Sequence, residues 1–103
     1  WIDSLEADLN SRLIEIERAI DAEEYGRAAD LTDSFCQNWD HWEAQFAAFV
    51  RHNTLEQVTA SVAQLPALLH YEDYSEFMAE IQYIQVLLHH IRDSEIPYPR
   101  NLV

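Results

Sequence analysis

The sequence predicts an all-α fold, a single antiparallel up-down-up-down four-helix bundle built from two helical hairpins. Four segments carry apolar residues at alternating spacings of three and four, the pattern of helices that pack along a narrow seam. Short polar segments separate them, and short connections make neighbouring helices antiparallel. One Gly and three Pro in 103 residues leave too little turn chemistry for an all-β fold. The bundle is expected to cover residues 1–93, and the segment 94–103, which contains two prolines, is predicted to be an extended tail.

The apolar stripes set the expected limits of the first two helices. The first helix is expected over about residues 3–22, and Asp8 and Arg12 lie one turn apart on its outer face, where they can pair. The second helix begins at Tyr25, and its stripe continues as far as Phe49. We therefore expect the second helix to be the longest of the four.

The second half of the chain carries the other two stripes. The third helix is expected to begin within the polar segment 51–54, and Pro66 lies inside its stripe. Because proline removes a backbone hydrogen bond, this helix is expected to kink. The fourth helix is expected to begin at Tyr74 and to end near Asp93.

The two predicted hairpins also repeat one another. A shift of 49 residues lays Glu23 over Glu72 and Tyr25 over Tyr74, so the hairpins have one design. Tyr25 followed three residues later by Ala28 is also similar to the corner of a tetratricopeptide hairpin, although that repeat is only about 34 residues long. A TPR-like adaptor made of stacked helical repeats is therefore the second choice for the architecture.

The composition excludes several classes of function. Nineteen Asp and Glu stand against six Arg and no Lys, and the net charge of −13 repels the phosphates of nucleic acids and anionic lipids. A single Cys excludes a disulfide framework and every multi-cysteine metal motif. No apolar run is long enough for a transmembrane helix. No serine lies in a nucleophile elbow, and we predict neither an enzyme nor a bound cofactor.

Three aromatic residues of the second helix are the first candidates for an interaction site. Trp39, Trp42 and Phe46 all fall on its apolar seam. They either pack in the core or form the aromatic floor of a groove that a short, kinked third helix leaves open.

Histidines are the second set of candidates. In an up-down bundle one end gathers His52, His89, His90 and Asp93, which would allow a metal-sensing or pH-sensing site. His89 and Asp93 lie four residues apart and can instead simply pair. The Glu-x-x-His and His-Glu-x-x-His ligand motifs are both absent from the sequence.

Several short segments carry a family resemblance. The paired tryptophans, Phe49-Val50-Arg51-His52 before Leu55, Leu88-His89-His90-Ile91 and the terminal Asn101-Leu102 resemble the bacterial domain-of-unknown-function family 4363. The resemblance extends over nearly the whole chain and carries over Trp39, Trp42, His52, His90 and Asn101. It implies a hydrophobic anchor helix upstream of Trp1 and a helical domain outside the membrane, and it implies no activity.

These observations lead to one expected function. We expect a non-catalytic, extracytoplasmic module that binds another protein. The partner would bind at a groove near Trp39 and Trp42, or a basic partner would bind at the acidic faces. The membrane would be reached only through the upstream anchor, and the sequence does not specify an oligomeric state.

Overall fold

The structure, a computed structural model, describes residues 2–95 of the chain, with side chains from residue 4 to residue 93. Four α-helices make up most of this part: α1 Ile2–Asp21, α2 Tyr25–Ala47, α3 His52–His70 and α4 Tyr74–Glu95. No strand occurs within these residues, and the all-α prediction is confirmed. Residues 94 and 95 of the predicted tail belong to α4, and the remainder of that tail lies outside the described residues.

The helices form a closed ring. α1 packs against α2 and α4, and α3 also packs against α2 and α4, while the backbones of the diagonal pairs do not approach each other in the described part of the chain. The bundle is a rod with extents of 50 × 21 × 21 Å. An open stack of repeats grows in one direction and would leave its first and last helices apart, whereas α1 packs against α4 here, so the architecture is the predicted bundle and not a TPR-like stack. None of the described helices is long and apolar enough to cross a bilayer.

One apolar core runs through the ring, and the predicted stripes supply most of it. The buried residues of these stripes include Leu9, Leu13 and Ile16 of α1, Phe35 of α2, Leu55, Val58 and Leu65 of α3, and Phe77, Ile81, Ile84 and Leu88 of α4. Burying one such side chain fully contributes about 1.5–3 kcal/mol. Phe49 is an exception, because α2 ends at Ala47 and the Phe49 side chain is 55% exposed. Its predicted place in the stripe is wrong, since helical spacing applies only where the backbone is helical.

Pro66 leaves a backbone acceptor in α3 that α2 satisfies. The helix is continuous through Pro66, whose ring cannot supply the N–H that the carbonyl of Val62 would normally receive. The Sγ of Cys36 donates to this carbonyl oxygen at 3.8 Å, a weak hydrogen bond. Burial and, secondarily, the charge of Asp33 raise the pKa of Cys36 from 9.0 to about 11, so the thiol keeps its proton at neutral pH.

The two helix-helix corners have the same backbone hydrogen bonds. The N–H groups of Glu23 and Glu24 donate to the carbonyls of Ile20 and Ala19, and those of Glu72 and Asp73 donate to Leu69 and Leu68. This pair of bonds is a Schellman motif, which ends a helix with a residue in the left-handed conformation. Glu23 (φ 59°) and Glu72 (φ 57°) are those residues, so the repeat at a shift of 49 residues holds for the backbone of both corners.

Candidate functional site

The three aromatic residues predicted to line a groove lie inside the core. Trp39, Trp42 and Phe46 are 2%, 8% and 0% exposed. The guanidinium of Arg12, from α1, lies 5.3 Å from the ring centroid of Trp42, and α3 packs on the other side of α2. Of the two alternatives, the structure shows core packing and no open aromatic floor at these three residues, because α1 and α3 cover this part of α2.

A chain of hydrogen bonds holds the side chain of Trp39, the more deeply buried of the two tryptophans. The Nε1 of Trp39 donates to the hydroxyl of Thr59 at 2.8 Å, and this hydroxyl donates to a carboxylate oxygen of Glu43 at 2.7 Å. The Trp39 N–H is therefore satisfied although the ring is buried, as a buried polar group requires. The chain joins α2 to α3 and is a structural feature of their interface.

The predicted histidine ligands form two separate pairs. The His52 Nε2 lies 3.2 Å from a Glu56 carboxylate oxygen, and the His89 Nε2 lies 3.4 Å from an Asp93 carboxylate oxygen. Each pair spans one turn of a single helix and is largely exposed, and such pairs contribute about 0–1 kcal/mol. Among the residues that the structure describes, no group of three or more His, Cys, Asp and Glu is arranged to hold a metal ion. His52, His89, His90 and Asp93 are thus not assembled into one ligand set.

A small pocket lies between α1 and α2. Its empty volume of about 260 Å³ includes open solvent, and it is lined by Arg12, Glu15, Leu31, Ser34 and Phe35. Its charged residues are already paired, Arg12 with Asp8 at 3.2 Å and Glu15 with Arg27 at 3.5 Å. The pocket is smaller than typical small-molecule sites, and we do not assign it a ligand.

Aromatic rings and carboxylates meet at the end of the bundle that carries the two equivalent corners. We call this region the tyrosine end, and it consists of Glu23, Glu24, Tyr25, Tyr71, Glu72, Asp73 and Tyr74. Tyr25 and Tyr74 begin the diagonal helices α2 and α4, and their rings stack across the end of the bundle with centroids 4.3 Å apart and planes inclined by 9°. Such a stacked pair contributes about 0.5–1.5 kcal/mol beyond its buried area.

The aromatic surface of the tyrosine end is open to solvent. Tyr71 is 78% exposed, and its ring meets the His70 ring in a T-shaped contact with centroids 4.8 Å apart. Tyr25 is 38% exposed. Partial burial, then the charge of Glu72 and the neighbouring Tyr25, raise the pKa of Tyr74 above its usual value of 10.0. The Tyr74 ring therefore stays neutral at physiological pH and keeps its electron-rich face.

The carboxylates of the tyrosine end outnumber the basic residues near them, which include Arg18 in the last turn of α1 and His70 in the last turn of α3. The corner segments 21–26 and 70–76 contain three carboxylates each and no arginine. One carboxylate is used locally, because the Oδ1 of Asp73 accepts the Glu76 N–H at 3.3 Å and so caps the first turn of α4. Exposed aromatic faces beside carboxylates can bind cations, through the ring quadrupole and through charge-assisted hydrogen bonds.

The sequence pattern carried a partial signal for this region. The shift of 49 residues aligns Tyr25 with Tyr74, but this alignment does not predict that the two rings stack on each other. Tyr71 lies outside both apolar stripes and carried no signal at all.

Comparison with known proteins supports a family and no activity. The family model described as Domain of unknown function (DUF4363) matches residues 1–102. No curated protein and no solved structure matches the chain. The match confirms the family resemblance of the sequence and adds no ligand, reaction or partner.

Proposed function

The chain belongs to the family described as Domain of unknown function (DUF4363), and we propose that this domain is a non-catalytic module that binds a basic partner protein. The single observation that carries this proposal is the excess of carboxylates that remains after internal pairing. Nineteen carboxylates face six arginines, and Arg12, Arg27 and Arg92 already have carboxylate partners within the chain. The surface is therefore strongly anionic, with little internal compensation.

Such a surface favours association with a cationic partner. Complementary charge steers the encounter and raises the association rate, whereas nucleic acids and anionic lipids are repelled. The attraction is screened within about 8 Å at physiological ionic strength, so affinity for the partner falls as salt is added.

The chemistry of the cysteine supports the non-catalytic part of the proposal. A nucleophilic cysteine has a lowered pKa and lies in a cationic environment. Burial and the charge of Asp33 instead raise the pKa of Cys36 to about 11, and its thiol donates a hydrogen bond to the carbonyl oxygen of Val62.

The upstream anchor and the extracytoplasmic location implied by the family resemblance belong to the same proposal. An anchor that preceded α1 would turn the end of the bundle with the α1 amino terminus toward the membrane. The tyrosine end would then lie at the far end of the 50 Å rod, where it is accessible to other proteins. This orientation is tested by protease treatment of host cells that express the full-length protein, both intact cells without an outer membrane and permeabilised cells. Protection of the domain in the intact cells would contradict it.

The binding function is tested by affinity capture from the host envelope fraction. The domain and an unrelated helical bundle of equal net charge are immobilised side by side at low salt. We expect the domain alone to retain a specific basic protein, which is released as the salt concentration rises. Retention of the same proteins by both columns, or of none, would contradict the proposal.

A further inference from the structure

We propose that the tyrosine end is the docking surface of this module and that it binds an arginine-containing basic segment of the partner protein. This inference rests on the proposed function and specifies where the partner binds and by which side chains. It is carried by the exposed rings, by the charge around them, and by the equivalence of the two corners.

The first step concerns exposed aromatic area. Five large apolar or aromatic side chains are exposed in the described part of the chain, and Tyr25 and Tyr71 of the tyrosine end are two of them. The most exposed is Tyr71, at the carboxyl end of α3. Large aromatic side chains that are exposed in this way are enriched in protein interfaces because they supply contact area at a low cost in side-chain entropy.

The second step concerns the charge of the occupant. The opposite end of the bundle also has an exposed aromatic residue, Phe49, but Arg51 and His52 follow it after Val50. At the tyrosine end Glu72 follows Tyr71 and Glu24 precedes Tyr25. Of the two arginines nearest to this end, Arg27 is paired with Glu15 at 3.5 Å, and Arg18 lies in the last turn of α1. The exposed aromatic residues of the tyrosine end therefore have acidic neighbours, which a cationic segment complements, whereas the residues that follow Phe49 are basic.

The third step distinguishes arginine from lysine. A guanidinium group can lie flat on a tyrosine ring and at the same time donate two parallel hydrogen bonds to a carboxylate, whereas an ammonium group cannot do both. The inner faces of Tyr25 and Tyr74 are stacked on each other and closed to cations, whereas Tyr71 is 78% exposed. Glu72 directly follows Tyr71 and provides the carboxylate.

The fourth step concerns the equivalence of the corners. Glu23-Glu24-Tyr25 and Glu72-Asp73-Tyr74 occupy equivalent positions, with the same backbone hydrogen bonds and the same left-handed residue. One extended segment with two or more arginines can therefore contact both corners at once. Binding at the second corner is then intramolecular, so a peptide with several arginines binds more tightly than one with a single arginine.

The test is a titration of the isotope-labelled 103-residue chain with a hexa-arginine peptide at low salt, followed by NMR. We expect the amide shifts to concentrate in segments 21–26 and 70–76. Hexalysine should bind more weakly, and hexaglutamate should produce no shifts. Salt-dependent shifts that concentrate elsewhere would overturn the docking surface and leave the proposed function standing, whereas no shifts at all with either basic peptide would overturn both.

One pair of variants tests the aromatic contribution. Tyr71→Ala should weaken hexa-arginine binding about 5-fold, the size expected for loss of one exposed cation-π contact. The matched control is Tyr83→Ala, because Tyr83 is a 46% exposed tyrosine in the middle of α4. Equal effects of the two variants would overturn the assignment of the surface.

A second pair of variants separates local charge from net charge. Glu23→Gln combined with Glu72→Gln changes the net charge from −13 to −11, and so does Asp30→Asn combined with Asp40→Asn on the outer face of α2. The first combination should weaken hexa-arginine binding several-fold more than the second. Equal weakening would mean that the peptide responds to net charge alone and would overturn the proposal. Circular dichroism of each variant verifies that the bundle is folded.

Discussion

The hydrogen-bond chain between α2 and α3 allows a sharp test of the core. Thr59→Val keeps the shape of the side chain but removes the hydroxyl that accepts from Trp39 and donates to Glu43. Trp39 is 2% exposed, so its N–H does not gain a hydrogen bond to water in place of the one that the substitution removes. The buried donor is left without a partner, which costs more than the loss of an ordinary hydrogen bond.

The expected cost follows from the burial of the two bonds. A buried donor without a partner costs about 1–3 kcal/mol, and the bond to Glu43 adds little because that carboxylate is only partly buried. We expect Thr59→Val to lower the free energy of unfolding by about 2 kcal/mol. With an unfolding entropy of about 2.1 cal/mol/K per residue, this corresponds to a decrease in Tm of about 9 °C for a chain of this length.

Urea denaturation followed by far-UV circular dichroism measures this change. Thr59→Ser is the matched control, because it keeps the hydroxyl, and it should cost no more than about 0.8 kcal/mol for the lost methyl group. In a Trp39→Phe background the donor is already gone, so Thr59→Val should cost about 1 kcal/mol less than in the wild type. The reasoning is refuted if Thr59→Val and Thr59→Ser are equally stable, or if the two substitutions are additive.

Three further predictions concern the corners, the core and the cysteine. Glu23→Gly and Glu72→Gly should each raise the free energy of unfolding by about 1 kcal/mol, because glycine adopts a positive φ without strain, and chemical denaturation should show no comparable gain for Glu23→Ala. Thr32 is buried, its hydroxyl has no hydrogen-bond partner among the described residues, and the equivalent residue of the second hairpin is Ile81. Thr32→Val should therefore raise the free energy of unfolding by about 1 kcal/mol. A lower Tm for this variant would contradict the prediction. The rate of Cys36 alkylation by iodoacetamide should rise with pH to an apparent pKa of about 11, since burial disfavours the thiolate; a midpoint near 9.0 would show that the thiol is not shielded.

Interactions within one helix could be predicted from the sequence. The Asp8–Arg12 and His89–Asp93 pairs form at 3.2 Å and 3.4 Å because side chains four residues apart are neighbours on any α-helix. The same local spacing located nearly all of the core. It failed at Phe49 because the end of α2 depends on where the chain must turn to begin α3, and not on the stripe.

The candidate site was harder to predict. The sequence allowed Trp39 and Trp42 to be either core or groove, and the choice depended on how closely α1 and α3 approach α2. The stack of Tyr25 on Tyr74 joins residues of diagonal helices, so no spacing within either helix indicates it. Tyr71 was missed because exposure at a corner follows from the turn and not from a periodic pattern.

The amino-acid sequence by itself determined the four helices, their apolar faces and the strong negative charge, because helical periodicity and composition are properties of a segment taken alone. Only the tertiary structure decided that the tryptophans are covered, that the histidines remain in separate pairs and that tyrosines and carboxylates meet at one end. Those outcomes depend on which faces of four helices come together, and several arrangements of the same faces are compatible with one pattern of apolar residues.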